Sequence, residues 1–273
     1  MPHATINGVE LFYDQQGSGE AIILHHGYTG SHDSYENVAP LLADRYRCIV
    51  MDARGAGDSG RPDSGYTIEQ YADDVIGMAD HLGLDRFTYV GHSMGGVIGM
   101  ELGLRYADRL NKLVLVAPAP ADGVQTPPEM RERALRLWRE RARDTMIRER
   151  MATTARVHDP SEIERAVDRA LSVSEGHFEQ SWQAMVDYRR GDDLKDLQTR
   201  TMVIAGAADG LLTANLKDFQ RLPNATLHVF SRVSHGIPRE VTEEFAAVIA
   251  DFMEHGVVTA QTLMEKAQGA VSR

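Results

Sequence analysis

Short runs of consecutive apolar residues alternate with amphipathic stretches along most of this chain. Residues 21–25, 47–53, 86–90, 112–117, 201–206 and 226–230 are aliphatic, β-branched or aromatic runs of strand length. Between them, residues 34–43, 68–82 and 96–104 read as helices. Residues 241–255 form a last helix with Val241, Phe245, Val248, Ile249 and Phe252 on one stripe. The helix over 68–82 shows Ile68, Tyr71, Val75, Met78, Ala79 and Leu82 on one face, and it opens with Thr67 and Gln70 in capping-box spacing. Two short runs within residues 4–15 meet at Asn7-Gly8, a two-residue hairpin signal. Strands that are apolar throughout must be covered on both sides. The pattern therefore predicts an α/β fold, a mostly parallel central sheet with helices on both faces.

At Pro118 the alternation stops. Pro118, Pro120, Pro127 and Pro128 punctuate a loop, and residues 129–190 contain helical patterns without a strand. One helix starts at Asp159-Pro160-Ser161-Glu162, with a cap residue, a first-turn proline and a first-turn acid in order. Residues 1–122 and 197–273 thus form one core domain around a helical lid insertion, 123–196. Eight arginines fall between 131 and 150. Partners at i,i+4 (Glu129–Arg133, Glu132–Arg136 and Asp144–Arg148) favour a solvated helix face over an anion-attracting entrance. Phe178, Trp182 and Met185 share a helical face. With Trp138 they either wall an apolar substrate pocket or pack the insertion on the body. Past Gly256, Val257, Ala260, Leu263, Met264 and Ala267 form a stripe suited to docking or to a homodimer contact.

Composition narrows the partners. The 29 basic residues against 40 acidic ones give a formal charge of −11, so neither nucleic acid nor a membrane surface is expected. Hydrophobic content of 42% and charged content of 25% fit a soluble globular enzyme. The single cysteine, Cys48, lies in an apolar strand, which suits a buried structural thiol rather than a reactive one. No apolar run approaches membrane length, and the first residues lack a basic and then apolar leader. A cytoplasmic location is the expectation.

One pentapeptide carries the chemistry. Gly91-His92-Ser93-Met94-Gly95 sits between an expected strand and a nearly all-apolar helix. A serine on such a turn is held in strained geometry with its hydroxyl above the sheet. The glycines keep Cβ atoms out of the turn, and the helix N-terminus favours developing negative charge. Acyl transfer by serine also needs a base, a carboxylate to orient it and backbone donors for the oxyanion. His235 follows the 226–230 strand and Asp209 follows the 201–206 strand, at the ends where parallel sheets place their sites. The backbone N–H groups of Tyr28 and Met94 are the candidate oxyanion donors. Asp122 competes with Asp209 for the role of acid. His92 reads as structural, and His228, in mid-strand, as the poorer base. His25 and His26 would point to opposite faces of a strand, and no histidine pair has zinc-type spacing, so no metal site is expected. Gly55-Ala56-Gly57-Asp58-Ser59-Gly60 spells a dinucleotide fingerprint, yet no helix opens at these glycines, which argues against a nucleotide.

These residues together resemble the α/β-hydrolase superfamily, in the branch with a helical lid after the sixth sheet strand. The resemblance spans residues 5–255. It rests on His26-Gly27, Asp52-Ala53-Arg54-Gly55-Ala56-Gly57-Asp58-Ser59, Gly91-His92-Ser93-Met94-Gly95-Gly96, Gly206-Ala207-Ala208-Asp209 and Ser234-His235-Gly236. The order Ser93, Asp209, His235 is that of the superfamily. The resemblance implies the α/β-hydrolase fold, a Ser-His-Asp triad, a glycine loop tied down by Arg54 and Asp58, and no cofactor. Ser93 departs from the aspartate nucleophile of related epoxide hydrolases and haloalkane dehalogenases. His92 departs from the asparagine common in ring-cleavage C–C hydrolases. Met94-Gly95-Gly96 is similar to esterases, enol-lactonases and cofactor-free perhydrolases. The expectation is a serine hydrolase of small carboxylic esters or lactones. C–C bond hydrolysis of a vinylogous diketone and a non-catalytic ligand receptor are the rival readings.

Overall fold

The computed structural model describes residues 2–260, 262–264 and 267. Its strands are β1 (His3–Ile6), β2 (Val9–Gln16), β3 (Glu20–His25), β4 (Tyr46–Met51), β5 (Phe87–His92), β6 (Leu110–Val116), β7 (Thr201–Gly206) and β8 (Ala225–Phe230). They form one sheet in the order β1-β2-β4-β3-β5-β6-β7-β8. β1 and β2 are the expected hairpin, with Asn7 at φ 49° and Gly8 at φ 77° supplying the two left-handed residues of a type I′ turn. β2 also pairs antiparallel with β4, and all later pairings are parallel.

Helices α1 (Ala39–Ala43), α2 (Ile68–His81) and α3 (Met94–Arg105) alternate with the first parallel strands. α4 (Pro128–Arg139), α5 (Arg143–Thr153), α6 (Pro160–Ser172), a π-helical turn at His177–Ser181 and α7 (Trp182–Asp187) fill the stretch between β6 and β7. α8 (Leu212–Arg221), α9 (Ile237–Glu240) and α10 (Thr242–His255) complete the order. Along β3, Ile22 and Leu24 enter one core with α1 and α10 residues such as Leu42, Phe245 and Ile249. Ile23 enters the other, with Tyr71, Val75 and Val97 of α2 and α3. The two-residue period of a strand thus explains why these runs are apolar on both faces.

Several local expectations are corrected. Residues 34–43 are not one helix but a 3₁₀ turn at His32–Tyr35 followed by α1, whose first turn holds Pro40. Proline has no N–H to give and clashes with the preceding turn, so an unbroken helix is excluded there. Only half of the capping box forms. Thr67 Oγ1 accepts from Gln70 N at 3.2 Å, but the Gln70 side chain turns to Asp74 instead. Among the described residues, none of the three expected i,i+4 pairs forms, and several arginines of the insertion pair between helices instead. Arg133 pairs with Glu149, Arg139 with Glu175 and Glu179, and Arg143 with Glu164 and Asp168. His25 and His26 stack, with ring centroids 5.1 Å apart, because β3 ends at His25 and strand alternation ends with it.

Cys48 is buried, and burial pushes its thiol up to about 12. No helix among the described residues is long and apolar enough to cross a membrane. The tail stripe is only partly described: positions 261, 265, 266 and 268–273 lie outside the described residues, and Leu263 and Met264 are exposed.

Candidate active site

The turn between β5 and α3 is a strand-to-helix elbow with Ser93 at its apex, at φ 56° and ψ −111°. This left-handed conformation costs a non-glycine residue of order 1–3 kcal/mol, and the surroundings enforce it. Ser93 N donates to Val116 O at 2.9 Å, and Ser93 O accepts from Gly96 N at 2.9 Å and Ala119 N at 3.0 Å. The elbow glycines are required by close approach. A Cβ on Gly91 would lie 2.0 Å from Gly95 O, and one on Gly95 would lie 2.6 Å from His25 O.

His235 stands in the loop after β8. Its Nε2 is 2.9 Å from Ser93 Oγ, and its Nδ1 is 2.8 Å from Asp209 Oδ2. Asp209 follows β7, and its Oδ1 accepts from Leu211 N at 3.0 Å. Burial favours the neutral Asp209 carboxyl, but the hydrogen bond and charge of His235 outweigh it and hold the group below the usual carboxylate range. Asp122 lies elsewhere, bound to Lys217 at 2.8 Å and Arg221 at 2.9 Å, with its side chain 41% exposed. His228 packs against Phe230 within β8.

Two groups, the buried Glu240 and the half-buried His92, hold the His235 loop, and the sequence singled out neither for this task. Glu240, on α9, accepts from the N–H groups of Ser234, Gly236 and Arg156, each at 3.1 Å, and from the Ser234 hydroxyl. His92 donates from Nε2 to His235 O at 2.8 Å. Burial, helped by the nearby His235, holds the His92 ring far down at about 3, so it acts as a neutral donor.

The loop after β3 carries Tyr28. Among the described residues, neither the Tyr28 nor the Met94 N–H donates to a protein acceptor. His177, on the π-helical turn, donates from Nε2 to Tyr28 O and accepts at Nδ1 from Tyr71 OH at 2.8 Å, which fixes this loop to the insertion. Arg54 forms a buried two-point pair with Asp74 of α2, both contacts at 2.6 Å. Asp58 instead meets Arg169 of α6, so Arg54 and Asp58 anchor the glycine loop in different directions. The carboxylate at the centre of that loop is Asp52, which accepts from Asp58 N and from the backbone and ring of His32.

Ser93 and His235 open on a chamber of about 330 Å³ that Tyr28, Trp182 and Met185 also line. An apolar cavity of about 480 Å³ adjoins it, sharing Tyr28 and Trp182 and adding Phe178 and Leu137. Trp138 borders neither. It stacks on Phe178 at 4.6 Å and donates to Ala170 O, so it packs the insertion internally.

A mostly parallel sheet with a serine elbow after its fifth strand and a histidine–aspartate pair beyond later strands defines an α/β-hydrolase. The family model for the alpha/beta hydrolase fold matches residues 20–238, and the chain belongs to this family. A putative carbamate hydrolase, RutD of Caulobacter sp. (strain K31), is 28% identical over 270 residues, covering 93% of this chain and 98% of that protein. Among solved structures, Est816, an N-acyl homoserine lactone-degrading enzyme, is 27% identical with a TM-score of 0.80, covering 92% of this chain and 100% of its own. The enol-lactonase of Burkholderia xenovorans LB400 has a TM-score of 0.83 over 93% of this chain and 100% of its own. At 23% identity it bears on the fold alone.

Proposed function

We propose that the protein is a serine hydrolase of small carboxylic esters or lactones, working through an acyl-enzyme. The observation that carries this reading is the unbroken contact from Ser93 Oγ through His235 to Asp209, at 2.9 and 2.8 Å. Ser93 attacks the carbonyl while His235 Nε2 takes its proton and later returns it to the leaving oxygen. Asp209 keeps the other ring proton on Nδ1 and supports the imidazolium. The Tyr28 and Met94 amides, without protein acceptors, hold the oxyanion; such a donor is worth about 3–4 kcal/mol in the transition state. Water then resolves the acyl-enzyme, with no cofactor. Residues 123–196 act as the lid that shapes the acyl site, with Trp182 and Met185 as its wall over Ser93. The lactone-degrading relative supports the lactone side of this reading.

The test is 4-nitrophenyl acetate turnover together with covalent labelling by a fluorophosphonate. One label per chain on Ser93, an acyl burst followed by steady release, and loss of the label and the burst in Ser93→Ala are the expected results. Ser93→Ala should retain only roughly 10³–10⁴-fold over the uncatalysed rate. Labelling elsewhere, or unchanged turnover in Ser93→Ala, overturns the assignment, and binding without turnover would mark a receptor.

A further inference from the structure

The Ser93 chamber has an unexpected charge. Its lining residues include Arg150, near the end of α5, and Arg239, on α9, and no aspartate or glutamate. The chain as a whole carries a formal charge of −11. A second cavity of about 240 Å³ shares Ser34, His92, Arg150, His235 and Arg239 with the chamber, so both arginines stand where the two spaces meet.

Among the described residues, neither side chain has a hydrogen bond or an ion pair, whereas Arg133, Arg139, Arg143, Arg165 and Arg169 of the insertion are all paired with acids. The acids lining the second cavity are otherwise engaged. Glu240 serves the His235 loop, Asp159 caps α6 through Ser161 N, and Glu162 faces Asn37. Arg150 is exposed and Arg239 half-buried. Desolvation by the surrounding protein and the charge of Arg239 lower the affinity of Arg150 for a proton to about 10. Enclosure lowers Arg239 in the same direction, against the pull of the more distant Glu162, Asp33 and Glu36 carboxylates. Two like charges that share a chamber with no directly paired acid carry a cost that a bound anion would relieve. Planar guanidinium groups also match the paired oxygens of a carboxylate.

We propose that Arg150 and Arg239 form an anion subsite of the Ser93 chamber, and that the substrate is an ester or lactone bearing an ionised carboxylate remote from the scissile carbonyl. The proposal rests on the hydrolase reading above. It assigns a positive chamber to an acidic protein, so the attraction should weaken with salt.

The experiment compares mono-(4-nitrophenyl) glutarate with neutral 4-nitrophenyl pentanoate on wild type, Arg150→Gln, Arg239→Gln and Arg150→Lys. Wild type should prefer the anionic ester at least tenfold in kcat/KM, and raised salt should narrow that preference. Each glutamine variant should lose at least tenfold more on the anionic ester than on the neutral one, with Arg150→Lys in between. A preference that neither glutamine variant changes, or a wild-type preference for the neutral ester, overturns the subsite and leaves the hydrolase reading standing. Glutarate binding to Ser93→Ala by calorimetry supplies a readout independent of turnover. Affinity that falls at least tenfold on adding Arg150→Gln supports the subsite even if neither ester is cleaved, and equal affinity with and without Arg150 overturns it. Should Arg239→Gln fail to fold, Arg150→Gln decides alone.

Discussion

Asp209→Asn tests the acid with the least change in shape. Asp209 Oδ1 already accepts from Leu211 N at 3.0 Å while Oδ2 faces His235 Nδ1 at 2.8 Å. An asparagine keeps the first contact by turning its carbonyl oxygen to Leu211, which aims its NH₂ group at Nδ1. Two donors cannot share that contact, so the imidazole moves its proton to Nε2, facing Ser93, and stops being a base. The variant can react only after flipping its amide, which leaves Leu211 N–H unpaired at about 1–3 kcal/mol. Even then a neutral acceptor replaces a carboxylate beside the imidazolium, and a charge-assisted bond is roughly twice as strong as a neutral one, a further loss of about 1–2 kcal/mol. The two effects give about 2–5 kcal/mol, or roughly 30- to 5,000-fold in kcat. The assay is steady-state turnover of 4-nitrophenyl acetate, with thermal unfolding to confirm the fold, beside Asp122→Asn as control. Asp122 binds Lys217 and Arg221 away from His235, so its variant should keep kcat within about twofold and lose no more than about 1 kcal/mol of stability. A kcat for Asp209→Asn within tenfold of wild type, or a larger loss in Asp122→Asn, would refute the reasoning.

Glu240→Ala removes the acceptor of three backbone N–H groups around His235, so urea unfolding should show a loss of about 2–5 kcal/mol with a fall in kcat; undiminished kcat would remove Glu240 as a positioning residue. Gly91→Ala forces a methyl to within 2.0 Å of Gly95 O and 2.6 Å of the Tyr89 ring, and should cost about 3 kcal/mol or more. A loss under about 1 kcal/mol would show that α3 has room to move. His32 places one ring nitrogen 2.8 Å from Asp52 and the other 3.0 Å from Asp33. Burial lowers its pKa, but the hydrogen bonds and charges of those carboxylates prevail and raise it to about 10. With the folded pKa raised, the stabilisation is whole below pH 6.5 and is lost as pH rises through about 10. The gap in Tm between wild type and His32→Gln should therefore narrow over that range, and a constant gap would exclude the imidazolium.

What the sequence disclosed, and what it hid, divides along the reach of the interactions. The strands were legible because burial on both faces demands unbroken apolar runs, and the elbow because its backbone admits only small residues at 91 and 95. Ser93, Asp209 and His235 were legible because each falls just past such a strand. The choice between Asp209 and Asp122 was not, since both follow a strand, and only the register of neighbouring strands decides which faces His235. Helix pairing in the insertion was misread because i,i+4 spacing says nothing of a neighbouring helix, and Arg133 found Glu149 across the helix pair. Trp138 shares the composition of a pocket wall, yet its indole N–H is committed to Ala170 O. Arg150 gave no signal among eight arginines, and Arg239 none in a short turn after His235. Only the folded chain brings the two into the lining of one chamber with Ser93.

The accuracy of the site is inherited from the sheet. His92 pairs with Val116, Val116 with Ile204, and Gly206 with Phe230, so the ends of β5 to β8 are in fixed step. A one-residue slip between any two would move the following loop by about 3.3 Å, more than the whole Ser93–His235 contact. The loops are also bound directly to one another, Ala207 N to Phe230 O and Ala208 N to Val233 O at 2.9 Å, so Asp209 and His235 move as one body. The insertion is not independent of that body. Ala155 N donates to Ser234 Oγ, Arg156 N to Glu240 and His158 to Glu240 O, so the segment between α5 and α6 rests on the turn that presents His235. An anion held by Arg150 and Arg239, as proposed above, would therefore sit against the same short helix whose Glu240 holds the His235 loop.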